Sequence, residues 1–289
     1  MEKRSLGFLD DEIDGVFVSK DINRYVVSLV PYEKTTTFKK GTKNAPRAIV
    51  DASPQMELLD ETLHVNASSH GILTLSPRIT DLASVTAHAA SVAREHADAL
   101  FAFLGGEHSI TPAILEGLAR KNMGIVWIDA HPDLRKEYRG SPDNHACAGY
   151  RSAAWGPIVQ IGIRSLSEEQ VEYLGRSDRV KCFRSWGEAV KDAVRGLPKS
   201  VYLSIDMDGF SPTLVRAVGT PEPGGLEWEE VMGILDFVFK EKDVVAYDVV
   251  ELCPQADDVV SSFTAARLVY KVMNYHTYHK LTAHVRPRS

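Results

Sequence analysis

A chain of 289 residues, 44% hydrophobic and 25% charged, holds enough apolar material for a full core without disulfide or metal staples. Its net charge of -6 and the lack of a basic stripe argue against nucleic acid as a partner, and no run of about 18 apolar residues is available to span a membrane. Three widely spaced cysteines, Cys147, Cys182 and Cys253, form neither a disulfide framework nor a zinc motif and fit a reducing cytoplasm.

In chain order, residues 1–5 lead into acidic residues rather than an apolar run, so no signal peptide is expected. Short apolar runs follow at 25–29, 99–104, 124–128, 158–163, 201–205 and 244–250. They are continuous rather than alternating, which suits strands buried on both faces. Helical patterns lie between them at 46–59, 81–96, 113–121, 227–240 and 264–274. Pro46 suits a first helical position, and Thr111-Pro112 reads as an N-cap followed by Pro at N1. Strand–helix alternation predicts a three-layer α/β/α fold with a mostly parallel sheet, built as a single domain over 1–289. His276 and His279 read as surface residues of the last helix, and no role is assigned to 281–289.

In open parallel sheets, ligands bind beyond the carboxyl ends of the strands, and three polar motifs sit at such ends. Leu104-Gly105-Gly106-Glu107-His108 runs a strand into two glycines, which permit a tight turn and close approach; alone, a histidine there is a weak signal. Asp129-Ala130-His131-Pro132-Asp133 follows an apolar strand. If extended, it places Asp129, His131 and Asp133 on one face, where two carboxylates and an imidazole need a counter-charge. Ser204-Ile205-Asp206-Met207-Asp208 ends a third strand with two carboxylates, one of which a turn role could explain. Four aspartates and two histidines suffice for two divalent cations. Carboxylate with imidazole suits Mn²⁺, and the absence of thiolates disfavours structural zinc. Such a pair lowers the pKa of water from about 16 towards about 7.

These stretches, together with Gly219-Thr220-Pro221-Glu222-Pro223-Gly224-Gly225, resemble the ureohydrolase family of arginases, agmatinases and formiminoglutamases. The order of the motifs is the family's, and the stretch from Val30 to Phe38 with Gly41, Ala45-Pro46 and Ala48-Ile49 is most similar to the agmatinases. The resemblance implies an arginase/deacetylase-like fold and two Mn²⁺ per chain on His108, Asp129, His131, Asp133, Asp206 and Asp208. It also implies a homotrimer or homohexamer and a small cationic guanidino substrate, most simply agmatine, cleaved to putrescine and urea. His145 matches the family's proton-shuttling loop histidine, and imidazole titrates in the range that protonating a departing amine requires. Glu251 matches the glutamate that binds the guanidinium, which prefers a bidentate carboxylate. Asp133 would act as both ligand and proton acceptor. An ordinary loop histidine and a strand-end charge facing water are the alternatives for His145 and Glu251.

Three positions depart from the family pattern. Ser211 stands where an aspartate outside the ligand set is usual, and Glu107 replaces the commoner aspartate. Arg135 lies two residues past Asp133, where arginases carry a small polar residue. Turned into the pocket, it would favour an acid-ended substrate such as guanidinobutyrate; turned away, it leaves agmatine. A sibling ureohydrolase, a non-catalytic metal-binding member of the fold and a one-zinc deacetylase are the competing readings.

Overall fold

The protein, a computed structural model, is described over residues 7–9, 23–120 and 122–281. The readings made of 1–5, Lys121 and 282–289 lie outside these residues. Among the described residues eight strands form one sheet: β1 (Tyr25–Val30), β2 (Ile72–Leu75), β3 (Leu100–Gly105), β4 (Met123–Ile128), β5 (Ile158–Ile161), β6 (Val180–Phe183), β7 (Ser200–Asp206) and β8 (Asp243–Val250). The order is β2-β1-β3-β8-β7-β4-β5-β6, and every pairing is parallel.

Eight α-helices among the described residues cover it: α1 (Ala45–Ala52), α2 (Leu82–Glu95), α3 (Ile110–Leu118), α4 (Ala148–Ser152), α5 (Glu168–Arg176), α6 (Glu188–Arg195), α7 (Trp228–Glu241) and α8 (Val259–His276). Successive strand side chains point to opposite faces, so two apolar cores form. Leu100, Ala102, Leu104, Leu203 and Ile205 pack with Ile49 of α1, Val190 of α6, Val231 of α7 and Leu268 of α8. Phe101, Phe103, Ile125 and Trp127 pack with Val85 of α2, Ile114 of α3 and Ala148 of α4. Burial on both faces explains why the central strands read as continuous apolar runs.

The six expected strands are present, and β2 and β6 are additional. Both lie at the sheet's edges, are four residues long and leave side chains partly exposed, so they lack the buried-strand signature. The helix expected over 46–59 ends at Ala52 and continues as a 3-10 turn at Ser53–Gln55 carrying Pro54. At α3 the cap is Ser109, not Thr111. Thr111 instead donates its hydroxyl to Asp248 at 2.6 Å, and Pro112 is tolerated because first-turn N–H groups need no intrahelical partner. Asp81 and Ser84 form a capping box at α2, with reciprocal bonds of 2.8 and 3.1 Å.

The expectation that His276 and His279 are surface residues is corrected. His276 Nδ1 lies 3.2 Å from the Tyr25 hydroxyl, and His279 Nε2 lies 2.8 Å from Asp236. The end of α8 packs across β1 and α7 rather than projecting into water. No helix among the described residues is long and apolar enough to cross a membrane.

Candidate active site

Strands β3, β8, β7 and β4 are neighbours in the sheet, so the segments leaving their carboxyl ends meet. After β3 the chain turns at Gly106, where a Cβ would lie 2.0 Å from the Tyr32 carbonyl oxygen; only a hydrogen fits. His108 follows, buried and stacked on Trp127 at 4.2 Å. Its Nε2 is 2.8 Å from the Ser204 hydroxyl, which donates at 2.8 Å to Asp248. Tyr202 and Thr111 also donate to Asp248, at 2.7 and 2.6 Å. With its one proton committed to Asp248, Ser204 accepts from Nε2–H, so in the neutral ring Nδ1 is the lone-pair nitrogen.

The segment after β4 is not extended as alternation predicted. Asp133 has φ +49°, and the Asp129 carboxylate accepts from His131 N at 2.5 Å and Trp127 Nε1 at 2.8 Å. Asp129, His131 and Asp133 do converge, but through a turn, because a carboxylate readily binds backbone two residues on. The same device acts after β7, where Asp206 accepts from Asp208 N at 2.8 Å. Asp208 in turn accepts from Ala130 N at 3.0 Å, which ties the two loops together.

Two groups of ligand-type atoms result, His108–Asp129–Asp206 and Asp129–His131–Asp208, each with its atoms within 4.8 Å of one another. They share Asp129. His108 Nδ1 lies 3.0 Å from Asp206, 3.2 Å from Asp129 and 3.5 Å from Asp133, yet makes a hydrogen bond to none of them. His131 Nδ1 is 3.0 Å from Asp208 and 3.8 Å from Asp129. Asp133 reaches His108 but belongs to neither three-residue group.

Burial pushes the Asp206 and Asp133 carboxyls well above their ordinary range, with Asp208 and Asp129 adding for Asp206 and Asp129 for Asp133. Burial alone would lower His131, but the Asp208 and Asp129 charges raise it to about 11. Without a cation the cluster retains protons. An all-oxygen-and-nitrogen donor set with an orphaned, buried imidazole nitrogen fits hard or borderline divalent ions.

Glu251, leaving β8 with φ +62°, is buried beside this cluster. It accepts from His108 N at 2.6 Å and lies 3.8 Å from His145 Nδ1. Burial raises Glu251 to about 8 and pushes His145 down, and His145 Nε2 has no partner. All eight expected site residues therefore lie together, and all but His108 and Asp129 line one cleft of about 250 Å³. Arg135 lies at its mouth, but its charge is 3.2 Å from Glu169 and stacks over Tyr138 at 4.8 Å. Ser211 bonds to Thr213 at 2.7 Å and is not among the residues that line the cleft.

Sequence reasoning missed two supports. Glu107 is fully buried and accepts from Lys34 N, Thr35 N and the Thr35 and Ser109 hydroxyls at 2.6–2.9 Å; Thr35 then accepts from His145 N at 3.0 Å. Asp248 is the other. Its one signal was an acid interrupting an apolar strand.

Residues 23–274 match the family model described as Arginase family. The chain is 36% identical to the N(1)-aminopropylagmatine ureohydrolase of Synechocystis sp., over 86% of this chain and 88% of that protein. It is 35% identical to the agmatinase of Pyrococcus horikoshii, over 86% and 90%. The crystal structure of the agmatine ureohydrolase of Thermoplasma volcanium superposes with a TM-score of 0.82 at 29% identity, covering 97% of each chain.

Proposed function

The chain belongs to the arginase family of ureohydrolases, and from that premise we propose that it is a binuclear manganese enzyme that hydrolyses agmatine to putrescine and urea, acting as one domain over 1–289 and as a homo-oligomer. The observation that carries the reading is the position of Glu251, a buried carboxylate that lines the cleft beside two ligand groups that share Asp129. His108, Asp129, His131, Asp133, Asp206 and Asp208 would hold the ions. When bound, such ions supply Lewis acidity and a water that ionises near neutral pH.

The protein's own groups then have distinct tasks. Glu251 accepts the guanidinium through the oxygen lone pairs left free by His108 N–H, and orients its central carbon. Ionising a carboxyl raised to about 8 is favoured by the arriving cation. Asp133, held ionised once cations occupy the cluster, would accept a proton from the attacking water. His145, kept neutral by burial, relays the proton taken from the water to the departing amine through its unpartnered Nε2.

Arg135 supports an amine-ended substrate, because Glu169 already neutralises it. A second reading is the aminopropyl-extended form of agmatine. It is favoured by the name of the Synechocystis relative and by the apolar side chains Phe38 and Leu166, which line the cleft while exposed by 72% and 45%.

A urea-release assay with Mn²⁺ on agmatine, its aminopropyl derivative, arginine, guanidinobutyrate and guanidinopropionate tests the proposal. Agmatine or its derivative is expected to show the highest kcat/KM, with turnover slowed about 10²–10⁴-fold in His145→Ala and manganese content unchanged. No urea from any substrate overturns the reading.

A further inference from the structure

The two candidate ligand histidines are supported by unlike partners. His108 hands its Nε2 proton to a buried hydroxyl backed by Asp248. His131 has no such relay; its Nε2 faces the half-buried Glu222 carboxylate, with 3.6 Å to Oε1, inside ion-pair range and longer than a formed hydrogen bond.

Glu222 is held from two sides. Ser165 donates to its Oε1 at 3.0 Å. Its carbonyl accepts from Arg164 Nη2 at 2.9 Å, and the same nitrogen donates at 2.8 Å to the carbonyl of Asp208. One guanidinium thus joins the backbone of a ligand residue to the backbone of Glu222. The loop is pressed close at Gly225, where φ is +119° and a Cβ would lie 2.6 Å from Phe210 backbone.

Resting on the two-metal reading above, we infer that Glu222 is a positioning residue, which accepts the Nε2–H of His131 and so fixes the tautomer and ring angle that present Nδ1 to Asp129 and Asp208. A neutral imidazole ligand carries one proton, and the partner of the opposite nitrogen decides where it sits. The carboxylate also raises the donor strength of Nδ1. Glu222 thereby acts on the Asp129–His131–Asp208 group directly, and reaches the His108 group only through the shared Asp129.

The test is manganese titration of the full-length protein, reading the two dissociation constants separately, alongside the unfolding temperature of the metal-free form. In Glu222→Ala one constant is expected to weaken about 10–100-fold, with the other changed far less and the metal-free unfolding temperature unchanged. Glu222→Gln keeps an acceptor but loses the charge, and is expected to weaken the same constant by about severalfold; it carries the test if the alanine variant does not fold. Wild-type affinity at both sites overturns the inference, as does equal loss at both. A raised KM with unchanged manganese binding also overturns it and assigns Glu222 to the substrate. Failure of the wild-type protein to bind manganese would overturn the two-metal reading itself, a result distinct from any variant effect.

Discussion

Burial sorts the histidines of this chain by what it leaves beside each ring. His108 and His131 are surrounded by carboxylates and are pushed up; His145 is mostly buried and is pushed down. His276 is lowered to about 4 by burial, with Lys280, Arg24 and His70 adding to the effect. Its sign for stability follows from proton counting. As pH falls through 6.5 the unfolded chain takes up a proton that the folded chain refuses until about 4. Stability is thus fully present above 6.5 and declines between 6.5 and 4, by on the order of 3 kcal/mol from this group. The expected result is a flatter pH dependence of the unfolding free energy in His276→Gln than in the wild type across that window. Parallel curves would assign the acid loss to the carboxylates instead.

Among the elements, the β3–α3 and β8 exits depend on each other. Glu251 N donates to the Gly106 carbonyl at 2.8 Å, and Gly106 N donates to Val30 O at 3.1 Å. Adding a methyl at Gly106 meets backbone, which cannot rotate away. Gly106→Ala is expected to cost about 1–3 kcal/mol, seen as a drop of several degrees in unfolding temperature, and to raise KM by displacing Glu251. Unchanged KM would mean that the two exits move independently. The strong segments were legible at this scale: six central strands, and α2 and α7 within a residue or two. The short edge strands were not, because partial exposure removes the apolar run. Helices α4, α5 and α6 were missed; of these, α5 did carry a cue, Ser167-x-x-Gln170, where the Gln170 side chain accepts from Ser167 N at 2.9 Å.

At the scale of the whole molecule, the cluster concentrates buried charge on the sheet's carboxyl edge, so cations bound there add to folding stability by mass action, about 2.7 kcal/mol per site at a hundredfold excess over the dissociation constant. Chelation is expected to lower the unfolding temperature by on the order of 10 °C and to abolish urea release, with both restored by Mn²⁺. An unfolding temperature insensitive to chelator and manganese would count against metal-linked stability.

Residue type and order alone determined the α/β class, the three polar motifs and their place at strand ends, because apolar runs and their polar terminations are local properties. They also marked four aspartates and two histidines as a cluster; His145 and Glu251 stood out only through the resemblance to the family. What only the tertiary structure decided was adjacency. The order β3-β8-β7-β4 brings His108, Glu251, Asp206 and Asp129 to one edge across more than a hundred residues of chain, and no local pattern encodes which strands pair. It also decided how the carboxylates converge, by turns in which Asp129 and Asp206 bind backbone rather than by strand alternation, and which groups support them. Ser204–Asp248, Glu107–Thr35 and Arg164–Glu222 join segments distant in sequence, through hydrogen bonds whose geometry exists only once the sheet has closed.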